Sequence, residues 1–351
     1  MNIPGKIIIL ILALVLMAIF AFVFFPKKNT NSLTNPGTQA QADITQGPQA
    51  SSHPLQISEM RKKEYPGSEI TVERELNPGS NYKQYLASYR SEGFKIFALL
   101  TVPNGIKPES GWPAIIFNHG YIPPAEYTTT GRYVAYTDAF SRNGYIVFKP
   151  DYRGHGNSEG NPEGAYYSTA YTTDVLNAVA SVKKYKDADP ERIGMWGHSM
   201  GGSIILRSMV VSKDIKAGVI WAGVVASYED MMKNWRRSTP FTPSQREREF
   251  MRPGRQTLID KYGDPDKNPQ FWQSISPIFF VGDVSGPIQL HHGTSDNEVP
   301  LLFSERLNEA LKNANKPVEF FTYNGDDHNL SNNLTLALDR SVSFFDKYLK
   351  N

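Results

Sequence analysis

From residue 58 onward, apolar positions come in short, nearly continuous runs that alternate with stretches of helical spacing. The runs predict strands over Glu69–Leu76, Phe94–Val102, Ala114–Asn118, Tyr145–Lys149, Arg192–Trp196, Ala217–Val224, Ile288–His291 and Val318–Tyr323. Helical periodicity fills Arg132–Asn143, Thr172–Lys186, Gly202–Ser212, Leu301–Asn313 and Leu330–Leu349. A strand that is apolar on both faces needs cover on both. The alternation therefore predicts an α/β domain whose mostly parallel central sheet lies between two helix layers. The first two runs alternate residue by residue and carry a turn signal, Asn77-Pro78-Gly79, as an antiparallel edge would. Residues 227–286 break the rhythm and are long enough to form a cap inserted above the sheet.

The N-terminus has a different pattern. Ile7 to Phe25 is 19 residues without a polar side chain, bracketed by Lys6 and by Lys27-Lys28. At about 1.5 Å per residue such a helix nearly spans a hydrocarbon core of about 30 Å. Residues 1–28 are expected to be an uncleaved, single-pass transmembrane anchor that holds the rest of the chain on the extracytoplasmic side. A secretory signal peptide is the alternative. Ala18 and Ala21 have the spacing of a cleavage site, but bulky Phe22, Phe24 and Phe25 follow. Residues 29–57, rich in Asn, Thr, Gln, Pro, Gly and Ser, read as a flexible tether, and 58–351 as the folded domain.

Charge sharpens this division. Lys+Arg 37 against Asp+Glu 35 leaves a surplus of +2. Three lysines and Asp43 in the first 50 residues account for all of it, so the remainder is balanced at 34 each. A neutral body argues against a nucleic-acid partner. Cys 0 excludes disulfides, thiolate nucleophiles and cysteine zinc sites. No Walker-type phosphate loop or His-Glu-x-x-His pattern occurs, so no metal or organic cofactor is expected.

The chemistry centres on Gly197-His198-Ser199-Met200-Gly201, which ends a predicted strand and opens a predicted helix. Gly-x-Ser-x-Gly in that setting is a nucleophile elbow. Gly197 and Gly201 make room for a tight turn, Ser199 is lifted clear of the sheet, and the Met200 N–H points at a developing oxyanion. A serine needs a base, and the base an orienting acid, in the order Ser, acid, His for this fold class. Three histidines follow Ser199. His291 and His292 belong to a strand end and read as packing or turn residues. His328 lies in the polar loop Asn324–Asn329, from which an imidazole can reach over the sheet. Asp296 is the favoured acid and Glu298 its rival, whereas Asp326 and Asp327 read as loop caps. The second oxyanion donor is expected from Phe117-Asn118-His119-Gly120-Tyr121. This is the Tyr121 N–H, with its phenol as a variant and His119 supporting the loop. Tyr166, Tyr167 and Tyr171 read either as acyl-pocket lining or as core.

These residues resemble a known family. His119-Gly120, Asp151-Tyr152-Arg153-Gly154-His155-Gly156-Asn157-Ser158, the elbow, His292-Gly293-x-x-Asp296 and His328 look like an α/β-hydrolase. Tyr262-Gly263-Asp264-Pro265, Pro269-Gln270-Phe271-Trp272 and Ser276-Pro277-Ile278 look like the catalytic domain of prolyl-oligopeptidase-type serine peptidases and related esterases. The resemblance implies a Ser199–Asp296–His328 triad that cleaves a small ester or short peptide. About 30 residues between tether and first core strand leave no room for the β-propeller of large members. The Arg-rich cap reads as a solvated face or an anion-facing patch. A non-catalytic hydrolase-like binding module displayed at a membrane is the competing class, and the sequence leaves the oligomeric state open.

Overall fold

The computed structural model describes residues 52–237, 242–251 and 253–350. The expected anchor at 1–28 and most of the expected tether lie outside the described residues. Among the described residues no helix is long and apolar enough to cross a membrane.

Nine strands form one sheet: β1 (Thr71–Leu76), β2 (Tyr82–Ser91), β3 (Phe94–Pro103), β4 (Trp112–Asn118), β5 (Ile146–Pro150), β6 (Ala188–His198), β7 (Ala217–Trp221), β8 (Ile288–Gly293) and β9 (Val318–Tyr323). Their spatial order is β1-β2-β3-β5-β4-β6-β7-β8-β9. The first three strands are antiparallel, β3 joins β5 antiparallel, and every pairing from β5 through β4 to β9 is parallel. This is the mostly parallel sheet that the alternating pattern predicts, in the α/β-hydrolase-like arrangement that the resemblance implies. β2 is the strand that the pattern misses. Its sequence YKQYLASYRS mixes lysine, glutamine, arginine and small residues, because parts of both faces stay accessible.

The helices of the domain are α1 (Ile57–Lys62), α2 (Val134–Arg142), α3 (Ala170–Lys183), α4 (Met200–Val211), α5 (Tyr228–Asn234), α6 (Gln245–Met251), α7 (Pro253–Tyr262), α8 (Pro269–Ile275), α9 (Leu301–Asn313) and α10 (Leu334–Leu349). Successive residues of β4 point into different cores. Ala114 and Ile116 pack with Val175, Ile204 and Leu307, whereas Ile115 and Phe117 pack with Phe140, Val342 and Phe345. Helices α3, α4 and α9 thus cover one face, and α2 and α10 the other. Burying each large apolar side chain stabilises by about 1.5–3 kcal/mol, so a strand apolar on both faces is held only in the middle of such a sandwich. α2 starts two residues later than its periodicity suggests, because Tyr133 has φ 62°, a left-handed conformation outside any helix.

The insertion between β7 and β8 contains α5 to α8 and a 3₁₀ turn at Pro277–Asp283. It has its own small core of Tyr228, Leu258, Phe271, Trp272 and Ile275, joined by Leu55 from the start of the described chain. Buried Arg207 of α4 ties these parts together by donating to the carbonyls of Leu55 and Ile275 and to the Tyr228 hydroxyl.

Candidate active site

The nucleophile elbow follows from sterics. Ser199 has φ 55° and ψ −113°, a strained conformation between the end of β6 and the start of α4. The turn is fixed by Ser199 N–H donating to the Trp221 carbonyl and by Val224 N–H donating to the Ser199 carbonyl. Its glycines have no alternative. A Cβ on Gly201 would sit 2.0 Å from the Asn118 carbonyl oxygen, and one on Gly197 would sit 2.8 Å from the Gly201 backbone.

His328 follows β9 and Asp296 follows β8. The structure brings them together with Nδ1 to Oδ2 at 2.7 Å. Asp296 Oδ1 accepts from the N–H groups of Glu298 and Val299 at 2.8 and 2.9 Å, and Oδ2 also lies 3.1 Å from His292 Nε2. Burial alone would raise the Asp296 pKa. The hydrogen bonds from His292, His328 and Val299 outweigh burial and hold the carboxyl well below the usual carboxylate range. Glu298 faces elsewhere and accepts from Arg237 at 3.0 and 3.1 Å. Asp326 and Asp327 accept from backbone N–H groups of their own loop, Asp326 from Asp327, Asn332 and Asn333, and Asp327 from Asn329 and Ser331.

His291 is buried between Tyr323 Oη and Gln289 Oε1, and burial lowers its pKa to about 3. His119 is also fully buried, stacked between Tyr127 and Tyr152, with Nδ1 2.7 Å from the Gly120 carbonyl. The Tyr121 phenol donates to Glu247 Oε1 at 2.6 Å. Burial, then this hydrogen bond, raises its pKa. Tyr171 stacks on Tyr152 in the core, whereas Tyr166 and Tyr167 line a cavity.

Sequence reasoning passed over His198, the residue just before the serine of the elbow motif. Its Nε2 lies 2.9 Å from the His328 carbonyl, which can only accept, so Nε2 carries the proton. Nδ1 then accepts from the Tyr133 hydroxyl at 2.8 Å, and that hydroxyl accepts from Gly120 N–H at 3.0 Å. Burial, then the neighbouring His328, lowers the His198 pKa to about 3 and keeps it neutral. One uncharged chain of hydrogen bonds thus joins the elbow, the loop after β4 and the His328 loop. No local motif marks it, since its partners lie 65 and 130 residues away.

Two cavities meet at Ser199. One of about 470 Å³ is lined by Ala165, Tyr166, Tyr167, Met200, Trp235 and Val299, with charged residues at its rim. The other, about 440 Å³, is lined by Gly120, Arg132, Tyr133, Tyr136, His198, His328 and Asn329. Among the described residues no group of three or more His, Asp or Glu is arranged to hold a metal ion.

Residues 133–351 match the Peptidase_S9 family, the prolyl oligopeptidase family, over more than half of the chain. The chain belongs to the prolyl oligopeptidase family. The family's members are serine hydrolases, and the match takes in the elbow, the cap, Asp296 and His328. A Bacillus subtilis (strain 168) protein named as an uncharacterized peptidase, YtmA, is 27% identical over 254 residues, 72% of this chain and 88% of YtmA. A puromycin-hydrolyzing peptidase of Mycobacterium tuberculosis superposes with a TM-score of 0.61 at 20% identity. That likeness covers 78% of this chain but 40% of the peptidase. Est1E of Butyrivibrio proteoclasticus, solved with ferulic acid bound, gives a TM-score of 0.57 at 22% identity over 75% of this chain and 99% of Est1E. At such identities the solved structures share the fold, and they include both peptidases and esterases.

Proposed function

We propose that this protein hydrolyses an acyl bond through Ser199, His328 and Asp296, with the Met200 and Tyr121 N–H groups as oxyanion donors. Ser199 Oγ attacks the carbonyl carbon while His328 Nε2 takes its proton. Negative charge develops on the carbonyl oxygen and is met by the two main-chain donors. When the intermediate collapses, His328 returns the proton to the departing oxygen or nitrogen and Ser199 keeps the acyl group. Water then attacks with His328 as base, which releases the acid and frees the serine. Asp296 fixes the imidazole tautomer and stabilises the imidazolium that forms twice per turnover. The observation that carries this reading is the 2.7 Å Asp296–His328 contact beside a strained serine in a shared cavity.

The two cavities support an assignment of the two halves of the substrate. The leaving group must collect a proton from His328, so it belongs in the polar cavity that His328 lines. The acyl group then occupies the aromatic cavity, which His328 does not line and which suits a bulky apolar acyl. Esters and short peptides both meet this requirement.

A fluorophosphonate probe is expected to label Ser199 of the folded protein, and absence of label would overturn the mechanism. Nitrophenyl esters compared with aminoacyl anilides of the same acyl group separate esterase from peptidase. Ester turnover with no amide cleavage would remove the peptidase reading.

The 19-residue apolar run supports anchoring of this activity at a membrane. The full chain is expected to stay in the membrane pellet after alkaline carbonate washing. Its appearance in the supernatant would remove the anchor.

A further inference from the structure

Among the described charged residues of the cap, Glu247 is the one driven inside. It is 1% exposed, on a helix whose neighbouring positions Gln245, Arg246, Arg248 and Glu249 all face solvent. Part of its surroundings is local. Ser244-Gln245-Arg246-Glu247 forms a capping box, with Ser244 N–H donating to Glu247 Oε2 at 2.8 Å and Glu247 N–H donating to Ser244 Oγ at 3.3 Å. Glutamine serves in such a box as well as glutamate does. The box therefore explains neither the charge nor the burial.

The other oxygen explains both. Oε1 accepts the Tyr121 hydroxyl at 2.6 Å, a contact between residues 126 apart in sequence. An amide that kept its oxygen on Ser244 N–H would turn an N–H toward the phenol, which would then accept a weaker, uncharged bond in place of the charge-assisted one it now donates. A carboxylate can accept on both sides at once, and charge makes both bonds stronger. The loop that carries Tyr121 is then gripped at two points. Gly120 N–H is held from within the scaffold by Tyr133, and Tyr121 is held from the cap by Glu247. Tyr121 lines both cavities at Ser199, so it borders the space that a substrate carbonyl on Ser199 would occupy.

We propose that Glu247 is a positioning residue: through the Tyr121 phenol it holds the Tyr121 N–H on the oxyanion, so that seating of the cap and completion of the oxyanion hole are one event. The proposal rests on Ser199 as nucleophile. It makes the cap a contributor to kcat as well as a wall of the acyl pocket.

Glu247→Gln keeps the capping box, and Tyr121→Phe breaks the same contact from the other end with the box untouched. Each is expected to lower kcat on a nitrophenyl acetate ester by about tenfold, with KM within about twofold, because an oxyanion donor displaced by a fraction of an ångström acts mainly in the transition state. The double variant is expected to lose no more than Tyr121→Phe alone, since both substitutions act on one contact, which Glu247→Gln weakens and Tyr121→Phe removes. Phosphonylation of Ser199 by a fluorophosphonate should slow in parallel, while melting temperatures stay within a few degrees. Losses that multiply in the double variant, a loss confined to KM, or wild-type kcat in Tyr121→Phe would each overturn the proposal. Wild-type protein that takes no label would remove the Ser199 reading and this one with it. Labelled wild type with unaffected variants would remove the role of Glu247 alone.

Discussion

In the sheet scaffold, some charged side chains go inside and are matched there. Arg153 grips Asp174 at 2.7 Å with both side chains almost wholly buried, and Asp151 is enclosed by hydroxyls from Tyr127 and Thr129. In the cap, charges stay outside. Lys233 bridges Glu229 and Asp266 in full solvent, and Arg237 meets Glu298 at an accessible rim. A buried pair is costly to break because the survivor is left charged in a low dielectric, whereas a screened surface pair contributes little. Buried pairs of the scaffold such as Arg153–Asp174 are therefore costly to change, whereas exposed pairs of the cap such as Lys233–Glu229 are not. Glu247 is the exception that joins the two regimes.

The largest test of this contrast is Ser199→Ala. We expect a loss of roughly 10³-fold or more in kcat/KM with an unchanged melting temperature. A variant that retained cellular function in full would favour the binding-module class instead. Next in size is Asp174→Ala, expected to lower the unfolding free energy by about 3–5 kcal/mol in denaturant titration. Lys233→Ala in the cap should leave the denaturation midpoint unchanged, and equal effects at the two sites would erase the comparison.

Titration sharpens it further. Burial raises the Asp151 pKa to about 6, above its ordinary value near 3.8, against the opposing hydrogen bonds. The folded protein thus binds that proton more tightly than the unfolded chain. The Asp151 contribution to stability is expected to fall by up to about 3 kcal/mol as pH rises from about 4 to about 6. Buried, neutral His198 and His291 contribute with the opposite sign over the same range. The Asp151 part is therefore read as the pH-dependent difference between wild type and Asp151→Asn. Asp296 works with the opposite sign. Its carboxyl is depressed, so its contribution is present above the ordinary carboxylate range and is lost as pH drops below it. The smallest effect is expected at Trp235, whose ring lines the acyl cavity and whose Nε1–H donates to the Glu298 carbonyl at 2.7 Å. Trp235→Ala should raise KM about tenfold for a bulky aromatic acyl ester while leaving an acetyl ester nearly unchanged. A uniform loss on both would mean that the ring supports the acid loop rather than the acyl group.

Much of the fold could be read in advance because its demands are local. The runs at Ala114–Phe117 and Val219–Trp221 are apolar on successive residues, as a strand covered on both faces requires. The elbow needs glycine on both sides of a strained serine for steric reasons that hold in any such turn, so Ser199 stands out in one dimension. β2 was hidden because a partly exposed strand near an antiparallel edge has no such uniform pattern. His198, Tyr133 and Glu247 were hidden for another reason. Each works through a partner between 65 and 130 residues away, and no spacing rule connects them. The sequence favours Asp296 over Glu298 but leaves Glu298 as a rival. The structure separates them by direction, with one carboxylate on His328 and the other on Arg237.

By itself, then, the sequence determined the layered sheet, the nucleophile turn and the short roster of residues able to serve it. These follow from backbone sterics and from the periodicity of apolar burial, both of which act over a few residues. Only the tertiary structure decided which carboxylate faces His328, that a neutral His198 ties three loops together, and that a cap glutamate holds Tyr121. Hydrogen bonds have direction and a reach of about 3 Å, and whether two distant groups meet within it depends on how the whole chain packs.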